Sequence, residues 1–548
     1  MSDDQAIEKV PGEVDTEEYT TTRKELWSYY LYYVGNNGLS GFNFGPSQFQ
    51  NLLYLAGYDP KDPPFVTPCD DNCVLPYLGH VRDINSIVLL TNGISFAIQA
   101  ALLICIGAWA DYGRWRPNIT IFFTLVAVGV SFAWLGVVDP SKWRAGIVLY
   151  ILGLITYQCA LTFWTAAFPG LARDLPEVKG SLTKLNDGHK SQQDHELLTS
   201  LARNRISNIS FTVCSAGEII ILAVMVGILK GLRSDESTEN NTKAFSVLIA
   251  FSGGVWLLCA LPWFMLEKRR PGLQLPPGTS LMIIGFKQTY VAFRECLRLK
   301  QTFLYLIFYF LMGDVLNTTV LVVSLILIIG LSMSPSDGDF LTPRAYSVVA
   351  YSTLQLTLLL IVGIVTQGMG IYLFWLVQKR YSISTKAMLL FNVFWIIVLT
   401  IWGLIGVHTD KFGFKHVWEI WLYQAFYGLL VCPWYAYSQT MISEVSPLPQ
   451  MFLFFALFSV VGKTSAFIGP FVSSAIITAS NNNDNMPFAF LFALGVFSSL
   501  FLWLVDVEKS RVECAEFVQA EAKQKAFESD VDNTVTVDNG NVDEKVKV

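Results

Sequence analysis

The chain has 548 residues, of which 53% are hydrophobic and only 15% charged. An average soluble domain carries about 25% charged residues and the mean hydropathy here is positive, so an ordinary water-soluble globule is excluded. The formal charge of -6 reflects an acidic excess in the two tails, and there is no basic face for nucleic acid.

Apolar stretches of about 20 residues, the length that crosses a hydrocarbon core, recur about a dozen times. In chain order they predict helices at 26–57, 84–110, 117–138, 144–168, 206–230 and 244–266. A second set follows at 301–331, 345–379, 385–407, 415–441, 450–480 and 487–506. Several exceed the spanning length, which predicts tilt, kinks or protrusion. Between the sets, 267–300 carries Pro271, Pro276, Pro277 and Gly278, then apolar Phe286, Val291 and Phe293 among Lys287, Arg294 and Arg298. That is the pattern of a linker lying along a membrane surface. The expected fold is an all-α polytopic membrane protein with twelve transmembrane helices in two six-helix lobes, the major facilitator architecture.

The domains expected are a cytosolic tail at 1–25, lobes at 26–266 and 301–506, the linker at 267–300, and a disordered cytosolic tail at 507–548. Lys268, Arg269, Arg270, Arg203 and Arg205 load one set of loops with positive charge, which places both termini in the cytosol. No basic n-region precedes an apolar run in the first residues, so no cleaved signal peptide is expected. Tyr32-Tyr33-Val34-Gly35-Asn36 and Phe310-Leu311-Met312-Gly313-Asp314 read as a weak internal repeat, placing a short polar residue at similar depth in each half.

After the second helix comes Gly107-Ala108-Trp109-Ala110-Asp111-Tyr112-Gly113-Arg114-Trp115-Arg116-Pro117. It resembles the major facilitator loop motif, in which the acid faces a neighbouring helix N-terminus. Asp111, Arg114 and Arg116, with Arg205 before the fifth helix, are the gating candidates. Ionisable groups inside hydrocarbon are costly and mark function by default. Glu218, Asp314 and Lys463 stand near the middle of their helices. Glu218 or Asp314 would take up and release a proton, while an Asp314–Lys463 pair would serve structure alone. In the first helix, Asn36 and Asn37 offer amide hydrogen bonds to an amino or carboxylate group, whereas Tyr29 and Tyr30 read as interfacial belt residues. Asn317 and Tyr427 complete the binding candidates.

Cys69 and Cys73 flank an acidic tripeptide in the first non-cytosolic loop, where a disulfide is plausible and a metal site is not, with two thiols alone. Asn240-Asn241-Thr242 is a glycosylation acceptor pattern in the loop before the sixth helix. All five histidines fall in predicted loops without metal-ligand spacing, so neither an enzyme nor a cofactor is expected.

Arg203-Asn204-Arg205-Ile206-Ser207-Asn208-Ile209-Ser210-Phe211, Leu261-Pro262-Trp263-Phe264 and Glu267-Lys268-Arg269-Arg270-Pro271-Gly272 resemble the autophagy-related protein 22 family. The segment from Phe168-Pro169 to Leu175-Pro176 and Gly313-Asp314 with Asn317-Thr318 resemble it too. The resemblance implies a fungal vacuolar permease that releases leucine and other neutral amino acids to the cytosol after autophagic breakdown. It carries over Asp314 and Asn317 in the seventh helix and Arg205 with Ser207 at the fifth. Many members hold an acid in the first helix; this chain has none between Trp27 and Ala56. The expected partners are the bilayer, an amino-acid substrate and protons. A carrier for another solute and a transport-dead nutrient receptor share the same fold and stand as alternatives.

Overall fold

A computed structural model describes residues 19–58, 73–272, 299–332 and 353–520, apart from 235, 410, 448, 449, 481, 482 and 484, with isolated positions 294, 297 and 523. Most of the expected 267–300 linker, including its amphipathic stretch, lies outside the described residues.

The described residues are mostly helical. The first half contains α1 (Arg23–Gly35), α2 (Gly45–Ala56), α3 (Ile84–Ala110), α4 (Arg116–Ala133), α5 (Trp143–Thr165), α6 (Phe168–Arg173), α7 (Pro176–Asn186), α8 (Gln192–Gly231) and α9 (Thr238–Leu266). The second contains α10 (Lys300–Ser332), α11 (Thr353–Tyr381), α12 (Thr385–Ile405), α13 (Val417–Phe426), α14 (Pro433–Val445), α15 (Met451–Ala479) and α16 (Pro487–Leu504). Side-chain caps start several of them: Thr22, Ser191, Ser237 and Ser384 each accept a backbone N–H of the first turn. Among the described residues, nine helices are long and apolar enough to cross a membrane.

Two predicted spans are interrupted. The first stops at Gly35, turns through Gly38 at φ 93°, and resumes as a π-helical stretch (Leu39–Phe44) leading into α2. Asn37 Oδ1 accepts the Leu39 N–H at 2.9 Å, an alternative backbone partner that competes with helix. The span predicted at 415–441 carries a second π-helical stretch (Tyr427–Val431) between α13 and α14. The repeat seen in sequence does not carry over as local shape, because α10 runs unbroken through Asp314 whereas α1 ends beside Asn36.

Other boundaries shift for physical reasons. The segment before 206, including His195, is not a loop: Ser191 caps α8, which begins fourteen residues before the predicted start. The tail expected to be disordered from 507 is helical over 507–520. Arg511 pairs with Glu196 at 2.5 Å, Glu513 accepts the Gln301 N–H at 3.2 Å, and Val507 and Phe517 pack on the core, which offset the ordering entropy. A two-stranded antiparallel hairpin, β1 (Val74–Tyr77) with β2 (His80–Asp83), departs from all-α; its Leu78-Gly79 turn has both φ values positive.

Within the first half α1 packs on α8 and α9, and α4 on α5 and α9; within the second α10 packs on α15 and α16. The halves meet lengthwise where α8 lies along α11 and α3 along α15. The face where α1 begins and α9 ends is called the near face below.

Candidate functional site

The break in the first span exposes polar groups inside the protein. Asn36 is fully buried, and neither atom of its amide makes a hydrogen bond. The chain can open here because small residues let neighbours approach. A Cβ on Gly35 would sit 2.7 Å from the Trp256 backbone, and one on Gly38 3.0 Å from the Tyr157 hydroxyl. Asn37 spends its oxygen on the turn.

Glu218 lies on α8, where Gly217 allows α1 to pack so closely that an added Cβ would be 2.3 Å from Val34. The Glu218 side chain is 6% exposed and makes no ion pair or hydrogen bond among the described residues. Its charge lies within electrostatic reach of the phenols of Tyr33 and Tyr157 and the thiols of Cys214 and Cys432. Cys432 belongs to the second half, so this carboxyl lies near the seam between halves. Tyr33, Tyr157, Trp256 and Cys432 were missed by sequence reasoning, since apolar or aromatic helix positions give no sign of which face meets the seam.

Asp314 is placed differently. Its carboxylate accepts the Gly469 N–H at 2.9 Å and the Thr318 hydroxyl at 3.2 Å, clamping α10 to α15. An added Cβ on Gly469 would overlap Thr318 and come within 2.6 Å of Asp314. Lys463 lies on α15, with its side chain outside the described residues. Asn317 is exposed. Tyr427, in the second π-helical stretch, shares a 3.0 Å hydrogen bond with the Tyr435 hydroxyl.

Tyr29 and Tyr30 are not belt residues: they are 1% and 5% exposed. Tyr29 stacks on Trp164 at 4.4 Å, and Trp164 donates its indole N–H to the Tyr29 carbonyl. Tyr33 also stacks on Trp164 and meets Phe211 edge-on, and Phe211 packs with Ile371 and Ala436 of the second half.

From that aromatic layer to the near face, polar contacts join the halves. Asp111 Oδ2 accepts the Leu453 N–H at 2.9 Å in the first turn of α15, so a negative charge sits where the helix macrodipole favours it. Thr162 donates to Ser459 at 3.2 Å, and Phe168 meets Phe455 edge-on. Along α8, Ser207 donates to the Ala436 carbonyl, Asn204 to Thr385 at 2.8 Å, and Arg203 to the Ser443 carbonyl at 2.8 Å. Glu444 accepts from both Ser200 and Thr385. Among the described residues, the hydrogen bonds between halves lie at Gln367–Ser215 or nearer this face.

Beneath the seal lies an ionic cluster inside the first half. Arg270 Nη1 bonds Glu25 Oε1 at 2.7 Å and its Nε bonds Asp174 Oδ2 at 2.6 Å, with all three side chains nearly inaccessible. Arg116 pairs with Glu267 at 2.9 Å. Burial holds the Glu267 carboxyl above its ordinary value, opposed by Arg116 and Arg270. Arg114 is exposed, and Arg205 pairs with Glu177. Sequence reading took Arg270 for a topology signal. The clue available was that Glu25 and Asp174 sit on the face where basic residues dominate.

Cys73 is disulfide-bonded, while Cys69 lies outside the described residues. Asn240 is half-buried in the first turn of α9.

A family model described as "Vacuole effluxer Atg22 like" matches residues 21–515. The chain belongs to this family. Members similar to it include autophagy-related protein 22-1 of Phaeosphaeria nodorum, 22% identical over 484 residues, covering 83% of this chain and 81% of that protein. Autophagy-related protein 22 of Pichia angusta is 24% identical over 479 residues, covering 80% and 79%. The fold is similar to the proton:xylose symporter XylE bound to 6-bromo-6-deoxy-D-glucose, with TM-score 0.54 at 12% identity over 88% of this chain and 95% of that one. It is also similar to FucP in its outward conformation, with TM-score 0.51 at 14% identity over 87% and 97%. The family model is described as that of an effluxer, and the similar solved structures give the chain the major facilitator fold.

Proposed function

We propose that this chain is a vacuolar-membrane transporter releasing leucine and other neutral amino acids from the lumen to the cytosol by proton-linked alternating access of two six-helix lobes. Both termini lie on the cytosolic face, which is the near face, and Asn240 carries a lumenal glycan. One observation carries the reading: a buried Asn36 amide without a hydrogen bond at a broken helix, at the end of the α1 that packs on α8, which bears the buried and unpaired Glu218 carboxyl. Discontinuous helices at a lobe interface are where transporters of this kind hold substrate. The Asn36 amide suits the amino or carboxylate group of an amino acid, and Glu218 takes up and releases the proton as the cavity changes sides. Each pH unit across the membrane supplies about 1.4 kcal/mol per proton, a tenfold bias.

The two other polar clusters have separate tasks. Asp314 holds α10 against α15, so coupling falls to Glu218. Asp111, Arg116 and Arg205 act at the cytosolic gate, and the contacts along it give a cytosol-sealed, lumen-facing state. The Atg22-like family supports vacuolar efflux as the setting.

The test is efflux of labelled leucine from proteoliposomes with and without an acid-inside gradient. Wild type should show gradient-driven efflux, and Glu218→Gln should lose the gradient dependence. Asn36→Ala should raise the leucine concentration needed for half-maximal transport. No efflux from folded protein would transfer the fold to another solute or to a receptor. Unchanged pH dependence in Glu218→Gln would remove Glu218 from coupling.

A further inference from the structure

On the near face a groove of about 620 Å³ opens between the start of α1, the 175–177 segment and α8. It is separate from Asn36 and Glu218, and of its lining only Arg205 enters the transport reading, as a gate residue. Its polar end is cationic: Arg23 makes no ion pair among the described residues, and Arg205 shares its charge with Glu177 alone. Lys268 stands at the rim, donating to the Thr20 carbonyl at 2.7 Å. One turn further along the same two helices the lining is apolar, formed by Leu26, Trp27 and Ile209. Trp27 is 57% exposed and Leu31, one turn further along α1, is 38% exposed, so the apolar wall continues out along the helix surface.

This arrangement has the polarity of an amphiphile. The cationic end lies at the end of a membrane-spanning bundle, where tryptophan and basic side chains meet the interface. The apolar end leads toward the hydrocarbon. A soluble anion would use the arginines and leave the exposed wall in water. We propose that the groove holds one anionic phospholipid, with its phosphate headgroup against Arg23 and Arg205 and an acyl chain along Leu26, Trp27 and Ile209. Because the groove touches the start of α1 and the middle of α8, the bound lipid braces the two helices that lead to Asn36 and Glu218. The assignment does not depend on the identity of the cargo.

The test uses the full chain in phosphatidylcholine nanodiscs carrying a trace of spin-labelled phosphatidylserine or spin-labelled phosphatidylcholine, and reads the immobilised fraction of each label. Wild type should select the anionic label by about tenfold, since each basic residue near an anionic surface adds a modest increment. Arg23→Gln should reduce the selectivity at least threefold, and Arg23→Gln with Arg205→Gln should abolish it. Arg23→Lys with Arg205→Lys should keep most of it, and Ile209→Trp should lower it by narrowing the apolar wall. Unfolding midpoints and monodispersity confirm that each variant is folded. Undiminished selectivity in the double glutamine variant overturns the proposal. So does displacement of the label by soluble glycerophosphoserine, which would make the ligand a free phosphate. Selectivity that emerges only after removal of residues 1–18 would assign the groove to that acidic segment instead, and equally overturns it.

Discussion

Arg270→Met tests the ionic cluster that joins α1, α6 and α9. The guanidinium bonds Glu25 at 2.7 Å, Asp174 at 2.6 Å and Thr21 at 3.0 Å. Both acids are 1% exposed, so neither can turn to water when the cation is removed; Asp174 keeps Arg173 at 3.1 Å, but Glu25 is left without a cation among the described residues. Removing one partner of a buried pair costs about 3–5 kcal/mol, mostly because a charge is left uncompensated. Methionine preserves much of the stem volume, so the lost packing adds little, and about 4 kcal/mol is expected. Arg270→Met combined with Glu25→Gln and Asp174→Asn removes the stranded charges. It leaves only weakened hydrogen bonds, at about 1 kcal/mol each, so the triple variant should recover about half the loss. The assay is chemical unfolding in mixed micelles followed by circular dichroism, comparing wild type, single and triple variants. A single variant within about 1 kcal/mol of wild type, or a triple variant no more stable than the single one, refutes a charge-based role for the cluster.

Three further expectations follow from the same geometry. The raised Glu267 carboxyl means that the native state binds more protons than the unfolded chain between the ordinary value of 4.5 and its raised one. Its contribution to stability is therefore present below that window and is lost as pH rises through it; Glu267→Gln should flatten this part of an unfolding-versus-pH profile, and an unchanged slope would count against it. Asp111→Ala deprives the α15 N-terminus of a charge worth about 1 kcal/mol, so a Thr162→Cys probe in the seal should be labelled from the cytosolic side roughly fivefold faster, with equal rates contradicting a gate role. Gly428→Ala would place a Cβ 2.1 Å from Thr366 Oγ1 and 2.5 Å from the Gly363 carbonyl. Such overpacking costs about 1–3 kcal/mol, whereas Gly129→Ala, with nothing within 4 Å, should be neutral or stabilising in thermal unfolding.

The Asp111 contact shows how far a local motif can be read. Its residues identified an acid poised for a helix start, and α15 supplies that start. Asn36 and Glu218 were legible because unpaired polarity inside an apolar run is costly whatever surrounds it. Their neighbours were not: Tyr157, Trp256 and Cys432 come from three other segments, and only helix packing turns them toward the seam. Tyr29 and Tyr30 were misread for the same reason, since an amphipathic ring suits an interface and a stacked interior equally well.

By itself, the sequence determined that the chain crosses the bilayer in long apolar helices, because backbone groups in hydrocarbon demand them. It also determined the family and the scarce polar residues proposed for transport. Tertiary structure decided which of those residues are free and which are satisfied. Asp314 meets the Gly469 N–H 155 positions away, and Arg270 gathers Glu25 and Asp174 from two other helices. It also decided that the first span breaks, where Tyr157 closes on Gly38, and that 507–520 folds, where Glu196 and Gln301 receive it. Composition registers a group's cost in hydrocarbon, but the partner that offsets the cost is brought by packing from a distant part of the chain.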